Sequence, residues 1–329
     1  MLAAQQNYRL QRNITLLSVV LLVVKAVAFY TTHSVAILSD ALESIVNVVA
    51  GFIGLFSLQL AAQPSDFSHP NGHGKAEFLS SAVEGSLILV SALVIGYQAI
   101  HSWVTAAPLQ RVELGLVLVF STAVINGLAG LQCIQIAKKN NSAALHASGQ
   151  HLLSDAYSTL AITAGLVVVY FTEIIWIDKL IALLAAAFIL YQGYKIVRTA
   201  VAGMMDEADP TLLQGILQTT QAHRPPQWID LHNVRIIKYG NVLHIDCHLT
   251  LPWYFNLHQA HEEIDAFREV LAKQYGKKMD VFIHTDACRP TSCTICQVQD
   301  CTKRNRPFTH QLEWTVTNIV QNQQHKATT

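Results

Sequence analysis

Val35-Ala-Ile-Leu-Ser-Asp40-Ala-Leu-Glu43-Ser-Ile-Val-Asn47-Val-Val-Ala-Gly-Phe-Ile-Gly-Leu-Phe-Ser-Leu-Gln-Leu60 is the stretch whose reading decides the fold. It exceeds the roughly 20 residues a helix needs to cross the hydrocarbon of a bilayer. Its ionisable residues are Asp40 and Glu43. A carboxylate at mid-membrane costs roughly 2.5–3.5 kcal/mol on insertion scales, so such a group faces a bundle interior and has a functional reason. Glu43 and Asn47 are one helical turn apart, which puts them on one face about 5–6 Å from each other.

Working outward, further apolar stretches complete a set of six, near 13–32, 35–62, 77–105, 112–137, 145–171 and 176–199. The whole chain is 51% apolar and 13% charged, about half the charged share of a soluble protein. Arg9, Arg12, Lys75, Lys138, Lys139, Lys195 and Arg198 flank the spans on one side; the other side has little beyond Arg111 and Lys179. The positive-inside rule therefore makes both termini cytoplasmic. A polar start, with no small-residue cleavage site after the first apolar run, argues against a cleavable signal peptide. The formal net charge is zero, which gives a nucleic-acid partner no electrostatic support.

A second polar pair lies in the fifth stretch, His151 and Asp155, again four apart. Two such pairs on facing helices can converge on one ion with imidazole and oxygen donors, a set that suits tetrahedral zinc and other late first-row divalents. Glu43 and Asp155 together would offset a dication. The competing reading is that these groups hydrogen-bond between helices or lie in water at a span end. Histidine and carboxylate bind metal only when deprotonated, so protons compete for the site and a proton gradient could drive release.

The loop after the second span reads Asp66-Phe-Ser-His69-Pro-Asn-Gly-His73-Gly-Lys75-Ala-Glu77. Asp66, His69 and His73 offer a second metal site. From Asp206 the composition changes. A short helix over 209–222, strands at 234–238 and 242–251, an amphipathic helix at 257–275 and a strand at 279–284 form an α-β-β-α-β string, expected as a small open sheet with helices on one face. His232, His248, His261, His284 and Asp286 lie on or beside these elements, with His244 and His258 as further candidates. Cys288, Cys293, Cys296 and Cys301 then fall within one short stretch, where clustering suits metal binding in a reducing compartment better than disulfides. Four thiolates suffice for a closed tetrahedral site, structural or sensing. A last helix is expected over 308–321.

These residues carry a resemblance over roughly 10–290. Ser39-Asp40-Ala-Leu-Glu43-Ser-Ile-Val-Asn47, His69-Pro-Asn-Gly-His73-Gly-Lys75-Ala-Glu77, His151-Leu-Leu-Ser-Asp155, Met205-Asp206 and His284-Thr-Asp286 together resemble the cation diffusion facilitator family. The resemblance implies an α-helical membrane protein with six transmembrane helices (1–205) and a small cytoplasmic α+β ferredoxin-like domain for metal binding and dimerisation (206–290); a cysteine-containing tail (291–329) lies past it. It implies a transport site of Glu43, Asn47, His151 and Asp155, and a loop site of Asp66, His69 and His73. Cytoplasmic dimer-interface sites would use His232, His248, His261, His284 and Asp286. Lys75 would interlock with Asp206, and the chain would form a homodimer.

The chain departs from the family in span two, where Asp or His usually comes first and Asp second. Asn47 removes one negative charge and Glu43 is a methylene longer, which shifts affinity and selectivity. The expected activity is proton-coupled export of a divalent transition-metal cation, zinc first, with iron, cobalt, cadmium or manganese as alternatives. The same ion would act as substrate and regulatory ligand. A bacterial inner membrane is the expected location. The competing function is a membrane-anchored metal sensor or scaffold with impaired transport. An enzyme is not expected: His261-Glu262-Glu263-Ile264-Asp265 starts like a zincin helix but lacks the second histidine.

Overall fold

The computed structural model describes residues 2–32, 35–101, 112–172, 175–240, 242–276 and 279–326; side chains of residues 31–43, 112–116, 168–179 and a few neighbours lie outside the described set. The chain forms two compact units, Met1–Met205 and Asp206–Thr329.

The first unit is helical: α1 (Leu2–Thr32), α2 (Val35–Ala61), α3 (Ala76–His101), α4 (Val112–Asn140), α5 (Ala143–Thr172) and α6 (Ile175–Met204). Among the described residues, four segments are long and apolar enough to cross a membrane: Ala4–Val27, Ser44–Ala61, Ala76–His101 and Phe120–Asn140. Leu16, Val20, Phe52, Phe56, Leu93 and Leu128 point outward, each more than half exposed, as lipid-facing side chains must. Inside, α3 packs on α6, α4 on α5 and α1 on α2. Small residues set the approach. A Cβ on Gly149 of α5 would lie 2.8 Å from Ile134 and 3.0 Å from Cys133 on α4, too close for any other residue.

The second unit follows from alternation. Its elements are α7 (Pro210–Ala222), β1 (Asp230–Tyr239), β2 (Val242–Leu251), α8 (Leu257–Tyr275) and β3 (Met279–Ala287). The sheet order is β1-β2-β3, with β1 antiparallel and β3 parallel to β2. Ile245, Cys247 and Leu249 on β2, with Val281 and Ile283 on β3, recur at every second position. They enter one core with Leu213 and Ile216 of α7 and Phe267 and Leu271 of α8. Parallel β2 and β3 require a crossover, supplied by α8. Trp228 fixes α8 from below: its ring lies 5.0 Å from Phe267 and its indole N–H donates to Glu263 at 2.8 Å.

Asp209 starts α7. Its carboxylate accepts the Thr211 and Leu212 amides at 2.9 and 3.2 Å and receives the Lys238 ammonium at 2.7 Å. Burial works to raise its pKa, but Lys238 and the two amides outweigh burial and hold it below the usual carboxylate value. Losing an N-cap costs about 1 kcal/mol, so Asp209→Ala should speed amide exchange at Thr211 and Leu212 roughly fivefold. With a depressed folded pKa the cap is present above the ordinary carboxylate range and lost as pH falls through the folded value. In the wild type the same two amides should therefore lose protection in acid; exchange unchanged by either manoeuvre rules the cap out.

The C-terminal region differs from the sequence expectation. Residues 291–329, the cysteine-containing tail, fall within the same compact unit as the sheet. A helix expected over 308–321 is reduced to one turn, α9 (Val316–Ile319), after a 3-10 turn at Pro290–Thr294 and irregular chain. The reason lies in its contacts. Trp314 and Ile319 are buried in the sheet core at 3% and 0% exposure, and the chain stays extended to reach it. Arg224 holds this path, donating to the carbonyls of Trp228, Ile229 and Leu312 at 2.9, 2.6 and 2.7 Å while lying 3.9 Å over the Trp314 ring. The strand expected at 279–284 extends to Ala287.

Candidate metal centres

The membrane site is assembled from α2 and α5. Asn47, His151 and Asp155 are 8%, 5% and 7% exposed. The Asn47 amide N–H donates to Asp155, and its carbonyl oxygen meets His151 Nε2. His151 Nε2 lies 3.8 Å from Asp155 across one turn of α5. Three of the four residues expected at the transport site are thus brought together. The fourth, Glu43, lies on α2 one turn before Asn47, with its side chain outside the described residues.

Acidic residues of α3 position α5. Glu77 accepts the Ser142 hydroxyl at 2.5 Å and the Ala144 amide at 3.4 Å, a carboxylate at a helix N-terminus, where the dipole favours negative charge. Two turns on, Glu84 is 1% exposed and Ser148 lies 2.9 and 3.1 Å from its two oxygens. Ser148 is one turn from His151, so α3 fixes the face of α5 that carries both ligands. Sequence reading passed over Glu84, although a carboxylate within the third span was signal enough. Buried Lys25 of α1 was missed for the same reason.

In the loop, Asp66, His69 and His73 bring one donor atom each within 4.8 Å of one another. Asp66 accepts the His69 amide at 2.6 Å and lies 3.2 Å from its Nδ1 and 3.5 Å from His73 Nε2. That amide hydrogen bond, foremost, lowers the Asp66 pKa and keeps it ionised. Gly72, at φ 81°, makes the reversal that folds His73 back, with ring centroids of the two histidines 4.3 Å apart.

In the second unit, strand register makes a row. His232 on β1 pairs with His248 on β2, which pairs with His284 on β3. Asp286 sits among them: 3.1 Å from His232 Nε2, 3.0 Å from His248 Nδ1 and 3.6 Å from His284 Nε2. Donor atoms of His232, His248 and Asp286 lie within 4.8 Å of one another. A bulge follows His232, with Asn233 at φ 51°, and shifts the alternation so that Leu231 before it and Val234 and Ile236 after it all enter the core. His261 is elsewhere: it faces Asp265 at 3.6 Å on the exposed side of α8. His244 pairs with Asp280 and His258 with Glu262, away from the row. Lys75 begins the turn into α3, Asp206 follows α6 with φ 57°.

Asp230 and His325 are the residues sequence reading did not find here. Asp230, 1% exposed, lies 3.3 Å from His232 Nδ1. It also accepts the His325 backbone amide and faces His325 Nδ1, both at 2.8 Å. Burial opposes its charge, yet His232 and His325 drive its pKa far below the ordinary value. A carboxylate on the far nitrogen fixes ring orientation and leaves Nε2 free toward Asp286, an arrangement whose loss typically costs 10–100-fold in metal affinity. Asp230→Asn should weaken zinc binding at this site by about tenfold or more, read by titration of full-length protein also carrying Asp66→Ala and Asp155→Ala. Unchanged affinity would show that His232 needs no such support.

The four cysteines are free thiols, Cys296 buried and the others half-buried.

A helical membrane unit with a buried imidazole–carboxylate site, joined to a small sheet domain with a histidine–aspartate cluster, defines a metal-ion transporter class. The cation efflux transmembrane domain matches residues 13–205, and the cytoplasmic domain of cation efflux proteins matches 208–288. The chain belongs to the cation diffusion facilitator family of integral-membrane cation transporters, which is not an enzyme family. It is similar to an uncharacterized transporter of Synechocystis, 32% identical over 248 residues, covering 75% of this chain and 80% of that protein. It is also similar to the cation-efflux pumps FieF of Cronobacter sakazakii, 28% identical over 275 residues, and of Yersinia pestis, 29% over 279. Each of these pairings covers 83% of this chain and 90% of the pump.

Proposed function

We propose that the chain is a proton-coupled exporter of divalent transition-metal cations, with zinc the favoured substrate. Six helices would span a bacterial inner membrane with both termini cytoplasmic. Glu43, Asn47, His151 and Asp155 would hold the ion, and deprotonation of the donors on metal entry supplies the coupling. The observation that carries the reading is Asn47 of α2 in contact with both His151 and Asp155 of α5. The loop set and the row on the sheet would take the same ion as a regulatory ligand. The FieF relatives are named as cation-efflux pumps, which favours outward movement. The second unit would pair two copies, and His261, distant from its own row, would serve the partner's.

A second reading, a metal sensor without transport, is favoured by one feature: Asn47 is a neutral donor where a second carboxylate would strengthen the site. Proteoliposomes separate the two. Uptake of zinc, cobalt, cadmium, iron and manganese should differ among ions and respond to an imposed pH gradient. Absence of flux for every ion leaves the sensor; flux indifferent to the gradient removes the coupling.

A further inference from the structure

Cys288 is the last residue of the part of the chain that matches the family, and Cys293, Cys296 and Cys301 lie beyond it. Cys288 follows directly on β3, Cys293 lies in the 3-10 turn, and Cys296 and Cys301 lie in the irregular chain after it. Trp253 donates its amide to Cys288 Sγ at 3.4 Å, the kind of outer hydrogen bond that supports a metal-bound thiolate. Arg304 ties the loop, donating to the carbonyls of Cys293, Cys296 and Val298 at 2.9, 3.1 and 2.6 Å. Arg289, Lys303, Arg304 and Arg306 stand against one acidic residue, Asp300, between 288 and 306, a countercharge for several thiolates.

We propose that Cys288, Cys293, Cys296 and Cys301 form a resident metal centre of four thiolates, separate from the path of the transported ion. Among the described residues, the donor sets drawn within 4.8 Å are the two histidine–aspartate groups. The sulfurs therefore stand wider than the roughly 3.8 Å edges that one zinc with 2.3 Å bonds imposes. An iron–sulfur cluster spreads its thiolates further, and Cys-x4-Cys-x2-Cys is the loop spacing of plant-type clusters. A single zinc at this place requires the loop to close around it.

The centre would pin the reversal of chain after β3. Ile295 and Cys296 pack on Ile229 in a small cluster of their own, next to Asp230, to which the tail later returns through His325.

Full-length protein purified anaerobically in detergent and washed with a strong chelator tests this. The wash strips the solvent-reachable sites and should leave either iron with acid-labile sulfide or one zinc per chain. Iron would show sulfur-to-metal charge-transfer absorption directly; zinc would show it after exchange for cobalt. Either result sustains the centre and identifies it. Cys293→Ser with Cys301→Ser should lose the residual metal entirely, while Asp155→Ala, which disables the membrane site, should keep it in full. Wild-type protein that retains no metal after the wash and whose four thiols all react with a thiol reagent overturns the proposal, whatever the variants do. The transport reading stands or falls separately, on flux.

Discussion

Asp155→Ala should abolish metal flux in proteoliposomes. The side chain is 7% exposed, receives the Asn47 amide, and lies 3.8 Å from His151. Among the described residues, it is the carboxylate that joins Asn47 and His151 in the membrane site. Its loss leaves a dication facing an amide, an imidazole and whatever Glu43 supplies. Removing one partner from a buried charge pair costs roughly 3–5 kcal/mol, which corresponds to about 200-fold or more in binding. Initial rates of zinc uptake at fixed concentration measure it. A rate within a fewfold of wild type, in protein that reconstitutes normally, removes Asp155 from the site.

The second large effect is of opposite sign. Asn47→Asp adds a charge where the amide now bridges His151 and Asp155. At an effective dielectric near 20, a unit charge pair at 4 Å is worth about 4 kcal/mol, part of which is spent on repulsion between neighbouring carboxylates. Zinc affinity should rise about tenfold or more, with the gain largest for the ions that prefer anionic oxygen. Two adjacent carboxylates cannot both ionise easily without an ion between them, so proton uptake on release should increase. Transport by Asn47→Asp should therefore fall more steeply in acid than wild-type transport. Equal affinities and equal pH profiles would mean that position 47 does not touch the ion.

What the sequence disclosed and what it hid follow from how local each signal is. Helices α2, α7 and α8 and strand β2 were legible because apolar period and turn residues are written in the segment itself. The pairing of Asn47 with His151 and Asp155 could be expected from two matched four-residue spacings inside apolar runs. The row His232–His248–His284 was less accessible. It depends on register across three strands and on a bulge, neither of which any one segment encodes. His261 shares residue type with the row yet lies apart from it, since periodicity says which face of α8 it occupies but not what that face meets. Asp230 and His325, 95 residues apart, meet only because the chain after β3 returns along edge strand β1, where Asn233 donates to the Gln321 carbonyl at 2.8 Å. No local pattern announces a contact of that range. The failed helix at 308–321 has the same origin: tertiary burial of Trp314 and Ile319 overrode local propensity.

That returning segment also has a consequence for how this lineage is divided into parts. The shared family region stops at residue 288, but the oily interior it encloses is completed by an indole and an isoleucine that come later. A protein engineer who trims this chain to the common boundary would not obtain a self-sufficient module; the cut would open a hole in the very floor on which the histidine row is laid.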